Sequence, residues 1–172
     1  MIINLIVFLI GLVFGSFLNV LIHRLPLSIS LVKPIGSACP NCSYGIKWYE
    51  NIPVVSYLFL KGKCSNCSES ISIVYPFVEL ITAVVTLVIY TNFLLNWEFL
   101  AIIALFYTLI VLSFIDLKYR EVPDYLLIIV VALTLIVGDL INLLIFTGGL
   151  FLLELAITFY IQNIKAKITK NK

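Results

Sequence analysis

Charge is scarce in this chain. Of its 172 residues only 12% are Asp, Glu, Lys or Arg, whereas 62% are hydrophobic. Soluble domains carry about a quarter charged residues and about half apolar ones, so an ordinary water-soluble fold is excluded. Disorder is excluded too, because so much apolar surface has to be buried. The formal net charge of +2 is too small to point to nucleic acid. No G-x-G-x-x-G occurs, which leaves no glycine loop of the Rossmann type. Cysteine is absent outside positions 39–67, and the stretch from Met1 to His23 holds no Asp, Glu, Lys or Arg. With a mean hydropathy of +1.15, the chain reads as an all-α polytopic membrane protein.

The uncharged opening lacks the positive n-region and small-residue cleavage site of a secretory signal. Residues 2–22 therefore predict a retained transmembrane helix, long enough for a hydrocarbon core of ~30 Å. Gly11 and Gly15 form a G-x-x-x-G. That pattern either admits a neighbouring helix closely or reflects glycines tolerated without a role. Further apolar runs cover 76–96, 99–115, 125–138 and 143–164, giving about five spans. The run 125–138 is short for a full crossing, so a re-entrant segment is the alternative there. The organisation expected is a first span at 1–22, a loop at 23–75, a four-helix membrane portion at 76–164 and a basic tail at 165–172.

All eleven Lys and Arg fall on one side under this five-span reading. The connections near residues 92–98 and 139–142 contain none. The positive-inside bias then places the amino terminus outside, and the 23–75 loop, the 116–124 link and the carboxyl-terminal tail in the cytoplasm.

The loop contains two C-x-x-C pairs, Cys39-Pro-Asn-Cys42 and Cys64-Ser-Asn-Cys67, with positions 43–63 between them. Each pair is a tight turn that can aim two sulfurs at one tetrahedral ion, the pattern of a structural four-thiolate zinc site. Disulfides compete with this reading, but a cytoplasmic loop sits in a reducing compartment. Gly45 and Gly62 suit the turns such knuckles need. A loop of about 50 residues with few large apolar groups builds little core, and ~10–16 kcal/mol of zinc binding would supply its folding energy.

Nine acidic residues remain to be placed. Glu50, Glu69, Glu98 and Glu121 read as ordinary solvated charge. Glu79 and Glu154 fall inside apolar runs, where a carboxylate is either hydrogen-bonded for structure or functional. Asp116 ends the third run and begins a polar link that closes on Asp124. It is either a helix-terminating residue at the interface or a carboxylate at a low-dielectric rim with a tunable pKa.

Taken together, several segments resemble the prepilin peptidase family, membrane aspartyl proteases that process type IV pilin precursors. They are Gly15-Ser-Phe-Leu-Asn-Val-Leu-Ile-His-Arg-Leu-Pro26, the two cysteine pairs, Asn51-Ile-Pro-Val-Val-Ser-Tyr-Leu58, Lys61-Gly-Lys-Cys64, Tyr75-Pro-Phe-Val-Glu-Leu80, Ile115-Asp116 and Val122-Pro-Asp124. Order and spacing hold from Gly15 to Asp124. The resemblance implies a multi-pass protein of the bacterial inner membrane with prepilins or pseudopilins as substrates. It implies leader cleavage by an aspartic endopeptidase at the cytoplasmic face, followed by methylation of the new amino terminus from S-adenosylmethionine. Asp116 matches the family's first catalytic aspartate, Asp124 a local structural position, and Cys39, Cys42, Cys64 and Cys67 the cysteine loop associated with methylation.

The family's second aspartate lies in a G-x-G-D motif at a later span, and this sequence contains no such motif. Gly138-Asp139 lacks the first glycine. A helix over residues 125–138 would also carry Asp139 ~21 Å from the cytoplasmic end, out of reach of Asp116. Residues 165–172 fall where the family has the basic link before G-x-G-D, which predicts an incomplete chain or an inactive remnant. A dyad needs one carboxylate to activate water and another to polarise the scissile carbonyl. Asp116 alone cannot do both. The alternatives are a non-cleaving, membrane-anchored zinc-binding module for prepilins or secretion partners, or a methyltransferase-only protein.

Overall fold

A computed structural model of the chain describes residues 2–31, 36–93, 97–120 and 122–138. The expected fifth span at 143–164, the tail at 165–172, Glu121, Asp139 and Glu154 lie outside the described residues. Five α-helices follow in order: α1 Ile2–Arg24, α2 Val55–Phe59, α3 Val74–Asn92, α4 Trp97–Tyr119 and α5 Asp124–Val137, with a 3₁₀ turn Trp48–Asn51 before α2. Among the described residues there is no strand, only two isolated bridges, Ala38–Gly45 and Lys63–Ser70. The chain divides into two compact units, residues 1–133 and 134–172. The packing described below belongs to the first.

Helices α1, α3 and α4 are each long and apolar enough to cross a membrane. They match the first three expected spans with shifted ends. Helix α3 starts at Val74, which puts Pro76 in its first turn, where the missing N–H leaves no intrahelical bond unmade. Helix α4 runs on to Tyr119, so Asp116 lies within its last turn. Helix α5 has 14 residues and rises ~21 Å, short of a ~30 Å core.

Close approach of α1 and α3 is built by glycine. A Cβ on Gly11 would stand 2.6 Å from the Cα of Ala83, and one on Gly15 would stand 2.6 Å from the Cα of Glu79. Of the two readings of G-x-x-x-G, the packing one describes this pair. Leu18, Ile22, Val78, Tyr107, Ile110, Val111, Ile115 and Leu126 form the buried cluster that unites α1, α3, α4 and α5. Polar groups within the bundle are matched internally, as hydrocarbon requires. The Thr82 hydroxyl donates to the Val78 carbonyl at 2.7 Å, and the hydroxyls of Thr86 and Tyr107 lie 2.7 Å apart. The opposite face of α1, including Ile2, Leu5, Leu9 and Val13, is exposed and apolar, as a lipid-facing surface is.

Past α1 the chain turns sharply, and Arg24 organises the turn. Its guanidinium donates to the carbonyls of Ser30 at 3.0 Å, Leu31 at 3.2 Å and Gly36 at 2.9 Å. Gly36 has a φ of +93°, a conformation that side chains disfavour.

Candidate functional site

The two C-x-x-C segments fold as copies of one another, Cys39 corresponding to Cys64 and Cys42 to Cys67. In the first knuckle the Cys39 N–H donates to the Tyr44 carbonyl at 2.9 Å, and the Ser43 N–H to the Cys39 carbonyl at 2.9 Å. In the second, the Cys64 N–H donates to the Glu69 carbonyl at 2.8 Å and the Ser68 N–H to the Cys64 carbonyl at 3.0 Å. A bridge closes the base of each turn. The residues that take positive φ are serines, Ser43 at 56° and Ser68 at 58°. The expected role of glycine is therefore split. Gly62 does take positive φ, at 66°, whereas Gly45 sits in open space and needs none.

The knuckles face each other and bring all four sulfurs within 4.8 Å of one another. Cys39 Sγ and Cys67 Sγ are 3.8 Å apart, and Cys42 Sγ and Cys64 Sγ 4.0 Å apart. A disulfide needs about 2.05 Å, so these are four free thiols. Tetrahedral zinc with Zn–S near 2.3 Å places its sulfurs ~3.8 Å apart. The donor set and its spacing fit a metal ion.

Each knuckle lends the other a hydrogen-bond donor. The Asn66 amide points at Cys42 Sγ at 3.6 Å, and the Asn41 amide at Cys67 Sγ at 3.9 Å. Together with the Tyr44 backbone N–H, Asn66 lowers the Cys42 thiol to about 6. Backbone N–H groups of Cys67 and Asn66 lower Cys64 as well. Cys67 receives the Glu69 N–H, yet burial and the three facing cysteines push it up to about 11. Four thiolates cannot share so small a space without a cation. A divalent ion removes that conflict, because metal-bound cysteine is deprotonated.

Glu50 is more than solvated charge. It accepts the Lys47 N–H at 2.9 Å, and the Ser65 hydroxyl and that N–H hold its carboxyl below the usual range. It therefore ties the 3₁₀ turn to the second knuckle.

The loop is fastened to the bundle by Glu79. The Val54 N–H donates to Glu79 Oε2 at 2.7 Å, and the Ser16 hydroxyl of α1 reaches the same carboxylate. Val54 has φ 61° and ψ −46°, and the Val55 N–H closes back on the Pro53 carbonyl at 2.6 Å. This is the rare, strained γ-turn of positive φ, here centred on a β-branched residue. Nearby, the Asn19 amide donates to the Tyr75 carbonyl at 3.0 Å, a second link between α1 and α3. Glu79 stands out in the sequence as a carboxylate inside an apolar run, but nothing there marks Ser16 or Val54 as its partners.

Asp116 is exposed in the last turn of α4, next to fully buried Ile115. Its carbonyl accepts the Arg120 N–H at 2.8 Å. Asp124 is exposed as the first residue of α5.

Residues 9–93 match the Bacterial Peptidase A24 N-terminal domain family. The "Prepilin leader peptidase/N-methyltransferase" of Myxococcus xanthus is 42% identical over 116 residues, covering 67% of this chain and 34% of that protein. The protein of the same name from Aeromonas salmonicida is 39% identical over 145 residues, covering 70% of this chain and 50% of the relative. That of Pseudomonas aeruginosa is 38% identical over 143 residues, covering 70% and 49%. The chain thus spans between about a third and a half of the length of these relatives. No solved structure matches it. With its paired cysteine knuckles and its membrane-length helices, the chain carries a Bacterial Peptidase A24 N-terminal domain over residues 9–93 and is similar along about two thirds of its length to prepilin leader peptidases.

Proposed function

We propose that this chain is the amino-terminal working part of a prepilin leader peptidase and N-methyltransferase. The observation that carries the proposal is that, within residues 9–93, which match the Bacterial Peptidase A24 N-terminal domain family, four cysteines converge on one metal-sized site. The likeness to the named relatives covers about two thirds of the chain. Zinc is the proposed ion, held by Cys39, Cys42, Cys64 and Cys67. With four thiolates the site is closed, hence structural. Zinc supplies folding energy to a loop that has little core of its own.

In this reading residues 1–22 are the first span, 23–75 the cytoplasmic cysteine loop, 76–164 a membrane portion that brings the spans to five, and 165–172 a basic cytoplasmic tail. The amino terminus faces outward from the bacterial inner membrane. Prepilins or pseudopilins are the substrates, and S-adenosylmethionine provides the methyl group.

Asp116 is the proposed first catalytic aspartate. Its exposure at the end of a membrane helix suits a residue that meets a substrate arriving along the membrane surface. One carboxylate activates water and a second polarises the peptide carbonyl, and the chain contains no G-x-G-D to supply the second. Cleavage therefore requires a G-x-G-D segment from a longer or separate polypeptide.

The mass of a prepilin after incubation tests this. The 172-residue protein alone should leave the leader in place, and adding a G-x-G-D fragment should remove it. Asp116→Asn should abolish the restored cleavage, with positioned acid–base groups worth roughly 10²–10⁴-fold, and should leave zinc content unchanged. Efficient cleavage by the unsupplemented chain would contradict the dyad argument.

A further inference from the structure

Glu79 is 8% exposed, and both partners of its carboxylate are neutral: the Val54 N–H at 2.7 Å and the Ser16 hydroxyl. Buried carboxylates are normally paired with a cation or bind one. A carboxylate offers about four lone-pair sites, so these two donors leave it able to accept more.

The same residue lines a cavity of about 620 Å³ among the cytoplasmic ends of α1 and α3 and the cysteine loop. That volume lies within the range of small-molecule sites, ~300–1,000 Å³. Its walls are largely apolar, and Asn19, Tyr57 and Tyr75 are among them. Aromatic side chains of this kind receive flat bases and organic cations. Cys39 and Cys64, one from each knuckle, line the cavity too, so the cysteine cluster helps to shape the space. Asp116 does not line it. The strained turn at Val54 presents its N–H to Glu79 and so fixes the carboxylate. Strain of that sort persists where the surroundings hold it and is concentrated at binding and active sites.

We infer that this cavity is the methyl-donor pocket and that Glu79 faces the positively charged sulfonium of S-adenosylmethionine. The inference rests on the N-methyltransferase reading proposed above. The choice of cation follows from chemistry. A peptide amine must be neutral to accept a methyl group, whereas a sulfonium keeps its charge at every pH. A buried carboxylate whose two donors are neutral complements the permanent charge. Size agrees, since a partly open cavity of about 620 Å³ takes a nucleoside joined to an amino acid.

Equilibrium dialysis of the zinc-loaded, detergent-solubilised full chain tests the inference. The two probes are S-adenosylmethionine and S-adenosylhomocysteine, whose sulfur is uncharged. The native protein should hold the sulfonium form more tightly by about tenfold or more, the scale of a charge-assisted contact. Glu79→Gln keeps an oxygen for the Val54 N–H. It should bring the ratio near one while thioether binding and zinc content persist. Ser16→Ala, which keeps the carboxylate, should retain the preference.

A native protein that binds neither probe, or binds both equally, overturns the inference whatever the variants do. So does a zinc-loaded Glu79→Gln protein with the native ratio. The peptidase reading stands or falls separately, on the prepilin mass. Methylated prepilin beside an unchanged ratio in Glu79→Gln would remove the pocket and keep the function. The predicted ratios without any methylated prepilin would keep the cation pocket and remove the function.

Discussion

Within the cysteine cluster, the residues that differ most are those that receive different donors. Cys42 takes an amide from Asn66 and falls to about 6, whereas Cys67, despite the Glu69 N–H, is raised by burial and the other cysteines to about 11. Both asparagines sit inside their own C-x-x-C and reach across to the other pair, so each knuckle supports its partner's ligand. Groups that hydrogen-bond metal ligands typically change affinity ~10–100-fold when removed. Asn66→Ala should accordingly weaken zinc binding by about tenfold, measured by competition with a chromophoric chelator. Changing any one of the four cysteines to Ser should reduce zinc from one per chain to substoichiometric levels, read by elemental analysis. Retention of a full equivalent in any such variant would remove that cysteine from the ligand set.

Among the elements, α1 and α3 depend on their glycines and the cysteine loop depends on its turns. A methyl on Gly15 would meet the Glu79 backbone at 2.6 Å, whereas one on Gly45 would meet nothing within 4 Å. Gly15→Ala should therefore destabilise the protein by ~1–3 kcal/mol, as overpacking does. Gly45→Ala should stay within about 0.5 kcal/mol of the native protein. Thermal unfolding in detergent compares the two. Val54 gives a second contrast. Glycine there removes the steric cost of positive φ, ~1–2 kcal/mol, partly offset by greater freedom in the unfolded chain. Proline both locks φ at a negative value and deletes the N–H that Glu79 accepts. Val54→Gly should keep the loop resistant to limited proteolysis, and Val54→Pro should expose it.

These elements also show what the sequence could and could not convey. Hydrophobic length located three helices able to cross a membrane to within a few residues, because a run of about 20 apolar residues is the length that a crossing helix needs. Cysteine spacing located the four-sulfur cluster, because two tight turns must supply the sulfurs. Ser43 and Ser68 at positive φ were not legible, since glycine is the usual sign of that conformation. Nor was the Val54–Glu79 bond, whose partners are distant in sequence and meet only after the loop folds back on α3. The short helix α2 and the 3₁₀ turn hold too few residues to show a period.

At the scale of the whole molecule one arrangement matters most: a four-cysteine loop held against the ends of helices long enough to cross a membrane, which the proposed function reads as metal-bearing and cytoplasmic. Three helices able to cross a membrane are described, and every Lys and Arg before residue 122 lies in a connection that the expected topology assigns to the cytoplasm. Metal, loop and orientation can be read together by alkylating the cysteines with a membrane-impermeant maleimide in sealed vesicles. All four cysteines lie between positions 39 and 67, so a single mass measurement reports on the site. In inverted vesicles the thiols should stay unmodified until a zinc chelator is added and then react. In right-side-out vesicles they should stay protected with or without chelator. Rapid modification in inverted vesicles before any chelator would contradict the metal centre, and modification in right-side-out vesicles would contradict the placement of the loop in the cytoplasm.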